Sequence, residues 1–225
     1  MQPDLGQDIA TQRAQHPAFP IGGLAMDAYC RSVLRLQGDR IVLRDFLPDD
    51  REPFMALEAD EAMFTYMRFR IDRASAESVQ LPRLLQEPQL DPRPSYNLVI
   101  EDVEGFSGWG GIDRIQGTDS AQFGWYLRSD RWGQGYATEA SRLLLDFGFS
   151  ALPTATMWAT ADPENVASLR VLEKSGLTNR GLTDPVETWR GLRPRVLFTI
   201  EAEHWGTSPR SSGASEPGGS TAFGA

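Results

Sequence analysis

The chain has 225 residues, 40% of them hydrophobic and 24% charged, enough to bury one sizeable core without disulfides or metals. Twenty-two basic against 31 acidic residues leave a net charge of −9, which argues against a nucleic-acid partner, because neutralising phosphates takes a basic face; an acidic surface suits a cationic substrate such as an amine. Cys30 is the single cysteine and the two histidines, His16 and His204, lie far apart, so a disulfide framework and a cysteine- or histidine-rich metal site are excluded and no metal is expected.

No run approaches the roughly 18 to 20 apolar residues of a membrane span, and the N-terminus MQPDLGQDIATQR lacks the basic-then-apolar order of a signal peptide. A cytoplasmic protein without membrane contact is expected, as a monomer or homodimer. Residues 1–34 carry no sustained periodicity and read as an irregular arm. Residues 206–225 are mostly Ser, Gly, Pro and Ala, with one Phe, and read as a disordered tail. The folded domain is expected over 35–205.

Within it, Arg40 to Phe46 is β-branched and runs into Pro48-Asp49-Asp50, predicting a strand followed by a helix start. A second helical patch covers about Ser75 to Leu85, weakened by Pro82. Tyr96 to Glu101, Phe106 to Ile115 and Ala121 to Arg128 are strand-like, and Gly105 and Gly117 in the connections predict an antiparallel meander. Ala140, Leu143, Leu144 and Phe147 then form one apolar helical stripe, with Glu139, Arg142 and Asp146 on the polar side. Thr154 to Thr160 reads as a strand. Asp162-Pro163-Glu164-Asn165 opens a helix, with Pro163 in its first turn, and Lys174-Ser175-Gly176 ends it. Arg195 to Ala202 closes the domain as a strand. The order predicts an α+β fold around a mixed, mostly antiparallel sheet flanked by helices.

Arg131-Trp132-Gly133-Gln134-Gly135-Tyr136-Ala137-Thr138 lies between a strand and an amphipathic helix. Glycines there let backbone amides converge on an anion at a helix N-terminus, and a phosphate or pyrophosphate is the natural ligand. A Walker loop is excluded because no Lys-Ser/Thr pair follows. The dinucleotide fingerprint also fails, since its third glycine position is Thr138 and the loop follows a meander.

Trp132 to Ala140, followed by Asp162-Pro163-Glu164-Asn165, Ser168 and Val171-Leu172-Glu173-Lys174 before Gly176-Leu177, resembles the two signature blocks of the GNAT acyltransferases. The nearest branch is that of the bacterial ribosomal-protein alanine N-acetyltransferases. The resemblance covers about Leu34 to Trp205. It implies acyl transfer from acetyl-CoA to an amine-bearing small molecule or peptide by direct attack in a ternary complex. It implies a GNAT-like sheet whose central strands splay into a V, with pantetheine along Gln122 to Leu127 and therefore against Trp125, Tyr126 and Leu127. Trp132, Gly133, Gln134, Gly135, Tyr136, Ala137 and Thr138 would hold the pyrophosphate, Asn165 the pantetheine arm, and Ser168 the leaving thiolate.

The sequence departs from the family where Leu172 replaces the tyrosine that often acts as general acid, where Gln122 replaces a strand glutamate, and where Arg180 replaces a glutamate. Asp184 and Glu187, in the loop after the second block, are the candidate general bases, against the alternative of solvated loop carboxylates. Trp125 and Trp189 are expected near the acceptor cleft, Trp109 and Trp158 in the core. Arg68, Arg70 and Arg73 are weighed as a carboxylate site against a solvated basic face. The missing acid and base leave a second reading, a CoA-binding sensor with little or no turnover.

Overall fold

A computed structural model describes residues 33–206 of the chain. The expected arm, except for its last two residues, and all but the first residue of the expected tail lie outside these, as do Cys30 and His16. Among the described residues no helix is long and apolar enough to cross a membrane, and no group of three or more His, Cys, Asp or Glu side chains is placed to hold a metal ion.

Ten strands form among the described residues: β1 (Arg35–Gln37), β2 (Val42–Asp45), β3 (Ser95–Asp102), β4 (Gly105–Arg114), β5 (Ser120–Leu127), β6 (Thr156–Ala161), β7 (Thr178–Leu182), β8 (Val186–Thr188), β9 (Gly191–Arg193) and β10 (Val196–Glu201). Eight of them make one sheet in the order β1-β2-β3-β4-β5-β6-β10-β7, and β8 and β9 pair separately as a hairpin. Every neighbouring pair in the large sheet is antiparallel except β5 and β6. The predicted meander is β3, β4 and β5, each end within one residue of the expected bound. The short strands β1, β7, β8 and β9 have no signature in the sequence: β7 is exposed along its whole length and so shows no alternation.

Helices cover both faces of the sheet. On one face α3 (Tyr136–Ala151) and α4 (Val166–Lys174) pack with Leu43, Leu98, Ile100, Ile112, Phe123, Met157 and Phe198. On the other, α1 (Arg51–Leu57) and the helical run α2 (73–86) pack around Phe46, Phe54, Val99, Phe106 and Trp109. Within α2, Ala76–Gln80 widens into a π turn, across which Leu81 N donates to Ala76 O, and Pro82 follows directly after it. The far end of α2 is tied down by Glu87. Its buried carboxylate accepts from Ser95 Oγ at 2.8 Å and Asn97 N at 2.7 Å and pairs with Arg93 at 3.0 Å.

The buried stripe of α3 is Ala140, Ser141, Leu144, Leu145 and Gly148, rotated from the predicted one. Leu143 and Phe147 stand at its edge, Phe147 against the Tyr96 ring at 5.1 Å. The rotation comes from two residues that apolar patterning overlooks. Ser141 buries its hydroxyl by donating to Ala137 O at 2.7 Å, and Gly148 leaves space that Met157 fills, with Met157 Sδ only 2.3 Å from where a Cβ would lie. Glu139 is not on a solvated face either. Its carboxylate accepts from the N–H groups of Arg40 and Ile41, at 2.8 and 3.3 Å. Pro163 sits before α4 rather than in its first turn, because Asn165 is the N-cap and accepts from Ser168 N at 3.1 Å.

Strands β5 and β6 pair only from Ser120↔Thr156 to Gln122↔Trp158 and then diverge, leaving Phe123 to Leu127 without a partner on that side. This is the expected V. Register shifts lie elsewhere in the sheet, between β3 and β4, where Ile100↔Gly108 gives way to Glu101↔Phe106, and between β10 and β7. The β4–β5 register runs unshifted from Gly108↔Leu127 to Arg114↔Ala121.

Candidate functional site

The V opens between two differently built walls. Parity along β5 sends Phe123, Trp125 and Leu127 toward the α3/α4 face, and Gln122 and Tyr126 toward the α1/α2 face. Because Gln122 is level with Trp158, two steps of two residues bring Tyr126 level with Asp162, which directly follows β6. Tyr126 and Asp162 therefore flank the mouth of the V.

The glycine loop is the first wall. A 3-10 turn, Ser129–Arg131, leads from β5 into Trp132, and the Trp132 indole N–H donates back to Leu127 O at 3.0 Å. Gly133 and Gly135 have φ of +75° and +87°, a left-handed conformation that other residues reach only with strain. That conformation turns the chain so that Gly135 caps α3. Among the described residues no acceptor meets the N–H groups of Gly133, Gln134, Gly135, Tyr136 and Ala137. Five open donors gather at the positive end of a 16-residue helix, an arrangement whose charge suits an anion.

The loop's cations are occupied elsewhere. Arg128 forks onto Asp130 at 3.1 and 2.8 Å, and Arg131 pairs with Asp102 at 3.0 Å and Glu104 at 2.5 Å. Arg40 holds the loop from outside, donating to Gln134 O at 2.7 Å while pairing with Glu139 at 3.0 Å. Sequence reasoning missed the Arg40–Glu139 clamp, which joins positions 99 apart.

The second wall is assembled from distant segments. The hairpin β8–β9 and the chain up to Arg195 fasten onto residues 64–68: Trp189 Nε1 donates to Phe64 O at 3.2 Å, Arg190 to Thr65 O at 3.2 Å, Arg195 to Tyr66 O at 3.1 Å, and Trp189 N to Arg68 O at 3.0 Å. A pocket of about 350 Å³, lined by Glu61, Phe64, Thr65, Arg70, Trp189 and Arg190, opens where the two segments meet. Asp60 links this wall to the first one by accepting from Ser129 N at 3.0 Å. Although desolvation works against it, hydrogen bonds from Ser129 hold the Asp60 carboxyl below the usual range.

Glu58 is the carboxylate that sequence reasoning missed. It caps the C-terminal end of α1, half-buried, facing the Trp109 indole. Trp109 in turn lies against Tyr126, ring centroids 4.4 Å apart. Burial pushes the Glu58 carboxyl up to about 7, and hydrogen bonding to the Trp109 indole works in the opposite direction. A carboxyl poised near neutrality beside a cleft is suited to taking a proton from an ammonium group. No spacing or motif marks it, because its environment is made by β4.

The sequence-predicted residues divide accordingly. Tyr126 and Leu127 lie on the unpaired half of β5, Trp132 to Thr138 form the loop, and Asn165 and Ser168 lie at the start of α4. The Asn165 side-chain oxygen is used by the cap, and the Ser168 hydroxyl has no hydrogen-bond partner among the described residues. Trp125 packs on the α3/α4 face, against Phe123 at 6.2 Å, and not on the acceptor side. Trp189 is on the acceptor side, with Arg70 over its ring at 5.9 Å. Trp109 and Trp158 are buried as expected. Asp184 and Glu187 are both exposed, and only their backbone carbonyls accept hydrogen bonds, from Thr183 Oγ1 and Arg68 Nε. Leu172 is 1% exposed and lies in the core, so nothing replaces the family tyrosine there.

Comparison with known proteins accords with this geometry. The acetyltransferase (GNAT) domain family matches residues 40–178. The N-acetyltransferase p20 of Bacillus licheniformis is 23% identical over 158 residues, 69% of this chain and 89% of its own. RimJ of Mycobacterium smegmatis, solved in complex with CoA-disulfide, superposes with a TM-score of 0.67 at 25% identity, covering 80% of this chain and 91% of that one. The microcin C7 self-immunity acetyltransferase MccE, solved with acetyl-CoA and AMP, superposes with a TM-score of 0.62 at 16% identity, covering 72% and 93%. With its splayed sheet, glycine loop and matched span, the chain belongs to the GNAT acetyltransferases and is an acyltransferase.

Proposed function

We propose that the chain transfers an acetyl group from acetyl-CoA to the primary amine of a small molecule or peptide, by direct attack within a ternary complex. The observation that carries this is the pairing of five open backbone donors at 133–137 with an unpaired strand edge at 123–127. A pyrophosphate needs the former and a peptide-like pantetheine arm the latter. The thioester supplies an acyl group already activated for attack, so the protein's work is positioning, charge stabilisation and proton removal.

Gly133 to Ala137 bind the pyrophosphate through their N–H groups, with Trp132 and Arg40 holding the loop in shape. The free edge of β5 aligns the pantetheine arm, and a backbone N–H there polarises the thioester carbonyl. Asn165, through its amide nitrogen, and Ser168, through its hydroxyl, face the arm and the sulfur. Glu58, near neutral in affinity, accepts the proton that the ammonium must lose. This supplies the base whose absence favoured a CoA sensor, and it displaces Asp184 and Glu187 from that role.

A thermal-shift series tests the donor assignment. Acetyl-CoA at about 100 times its dissociation constant is expected to stabilise the fold by about 2.7 kcal/mol and raise Tm, whereas NAD and ATP leave it unchanged. No shift with acetyl-CoA would overturn the proposal.

A further inference from the structure

On the acceptor face a group of arginines gathers around Asp162 and Glu164. Asp162, with 3% of its side chain exposed, lies 3.8 Å from Arg195 NH1 and 3.6 Å from Arg193 Nε. Glu164 pairs with Arg193 at 2.8 Å and Arg190 at 3.5 Å. Arg68 lies close enough to act on the charge of Arg195, donates to Glu187 O at 3.2 Å and lies over the Phe69 ring.

Arg195 is the critical member. Its side chain is only 10% exposed, and one nitrogen donates to Tyr66 O. Its Nε is buried and meets no hydrogen-bond acceptor, and the same is true of Arg193 Nε. Burial pulls the Arg195 affinity for its proton below the ordinary value; Asp162 resists this, and Arg68 and Arg193 add repulsion. On the same face of β6, the buried Trp158 indole N–H also lacks an acceptor. Buried donors without acceptors are costly, and an arginine fork is shaped to hold a planar or tetrahedral oxyanion. Asp162, and with it Arg195, is level with Tyr126 across the V, so an anion held there sits at the mouth of the cleft beside the β5 edge.

We propose that Arg195, Arg193 and Arg68 bind an oxyanion carried by the acceptor itself, so that the preferred acceptor is an amine that also bears a carboxylate or phosphate group. This rests on the acyl-transfer reading above and narrows it. It also reverses, locally, what the net charge of −9 implied about a purely cationic substrate.

The test compares paired acceptors with acetyl-CoA: β-alanine against β-alaninamide, and O-phosphoethanolamine against ethanolamine. The wild type should show at least about tenfold higher kcat/KM for the anionic member of one pair, and the pair that discriminates identifies carboxylate or phosphate. Arg193→Gln and Arg68→Gln leave the buried Arg195–Asp162 pair in place. Each should raise KM for the anionic acceptor about tenfold and raise it less for the neutral acceptor, with the affinity for acetyl-CoA unchanged. Equal use of both members, or an equal loss for both in the variants, overturns the inference and leaves the acetyltransferase reading standing. If no amine is turned over, that reading fails. Calorimetry of 3-hydroxypropionate and inorganic phosphate against CoA-saturated wild type and Arg193→Gln then decides the inference alone, supported by binding that the variant weakens and overturned by none.

Discussion

The two walls of the cleft reach their chemistry by opposite routes. The donor wall is a contiguous stretch, Gly133 to Thr138, that works through backbone conformation: two left-handed glycines and a helix N-terminus present unpaired N–H groups. The acceptor wall is gathered from 58–70, 109, 126, 158–164 and 186–195, held together by hydrogen bonds spanning 119 to 129 positions, and it works through side-chain charge. A backbone device needs particular residues at particular local spacing. A charge device needs only that distant residues meet, and its members can come from anywhere.

The contrast can be broken most severely at Glu58. Glu58→Gln should lower kcat about 100-fold or more near neutral pH while leaving acetyl-CoA binding intact, as steady-state kinetics and calorimetry would show. The same change should stabilise the fold in one pH window. The unfolded chain releases this proton near 4.5 and the folded chain near 7, so wild-type stability falls as pH rises between those values. Glu58→Gln escapes that fall, and its Tm should exceed that of the wild type above about pH 7 but gain little near pH 4.5. A variant that lost activity by misfolding would show the opposite.

Gly135→Ala attacks the donor wall alone. Its φ of +87° is unfavourable for alanine, and Arg40 NH2 would lie 3.0 Å from the new Cβ. A cost of about 1–2 kcal/mol on the loop predicts roughly a tenfold rise in KM for acetyl-CoA, with the KM for the amine unchanged. A smaller effect of the same kind, about two- to tenfold, is expected of Trp132→Phe, which removes the single bond from the indole to Leu127 O. At the low end, Asp184→Asn and Glu187→Gln should leave kcat and both KM values within about twofold, since both side chains are exposed.

The sequence was most legible where structure is local. The meander, the helix after the glycine loop and the strand edges could be read from alternation and turn residues, and two motifs at family spacing carried the fold. It was less legible where small or polar residues are buried: Ser141 and Gly148 rotate α3 away from its apolar stripe, and Glu139 is taken out of solvent by Arg40. It was least legible in 178–193, where three short strands have little alternation and gain their order by pairing with each other, with β10 and with 64–68. Glu58 and Arg195 escaped notice for one reason. Their chemistry comes from neighbours on other strands, Trp109 for the one and Asp162 for the other.

The central claim is that an amine is deprotonated by a half-buried carboxyl and attacks a thioester lodged in the V. It is tested most directly by steady-state release of free CoA by the wild type, with acetyl-CoA and a good acceptor, from about pH 5.5 to about 9. The account predicts amine-dependent release whose kcat/KM rises with an apparent pKa of about 7, the value to which burial raises Glu58. Release that does not depend on the amine, or a profile flat through neutrality, would contradict it.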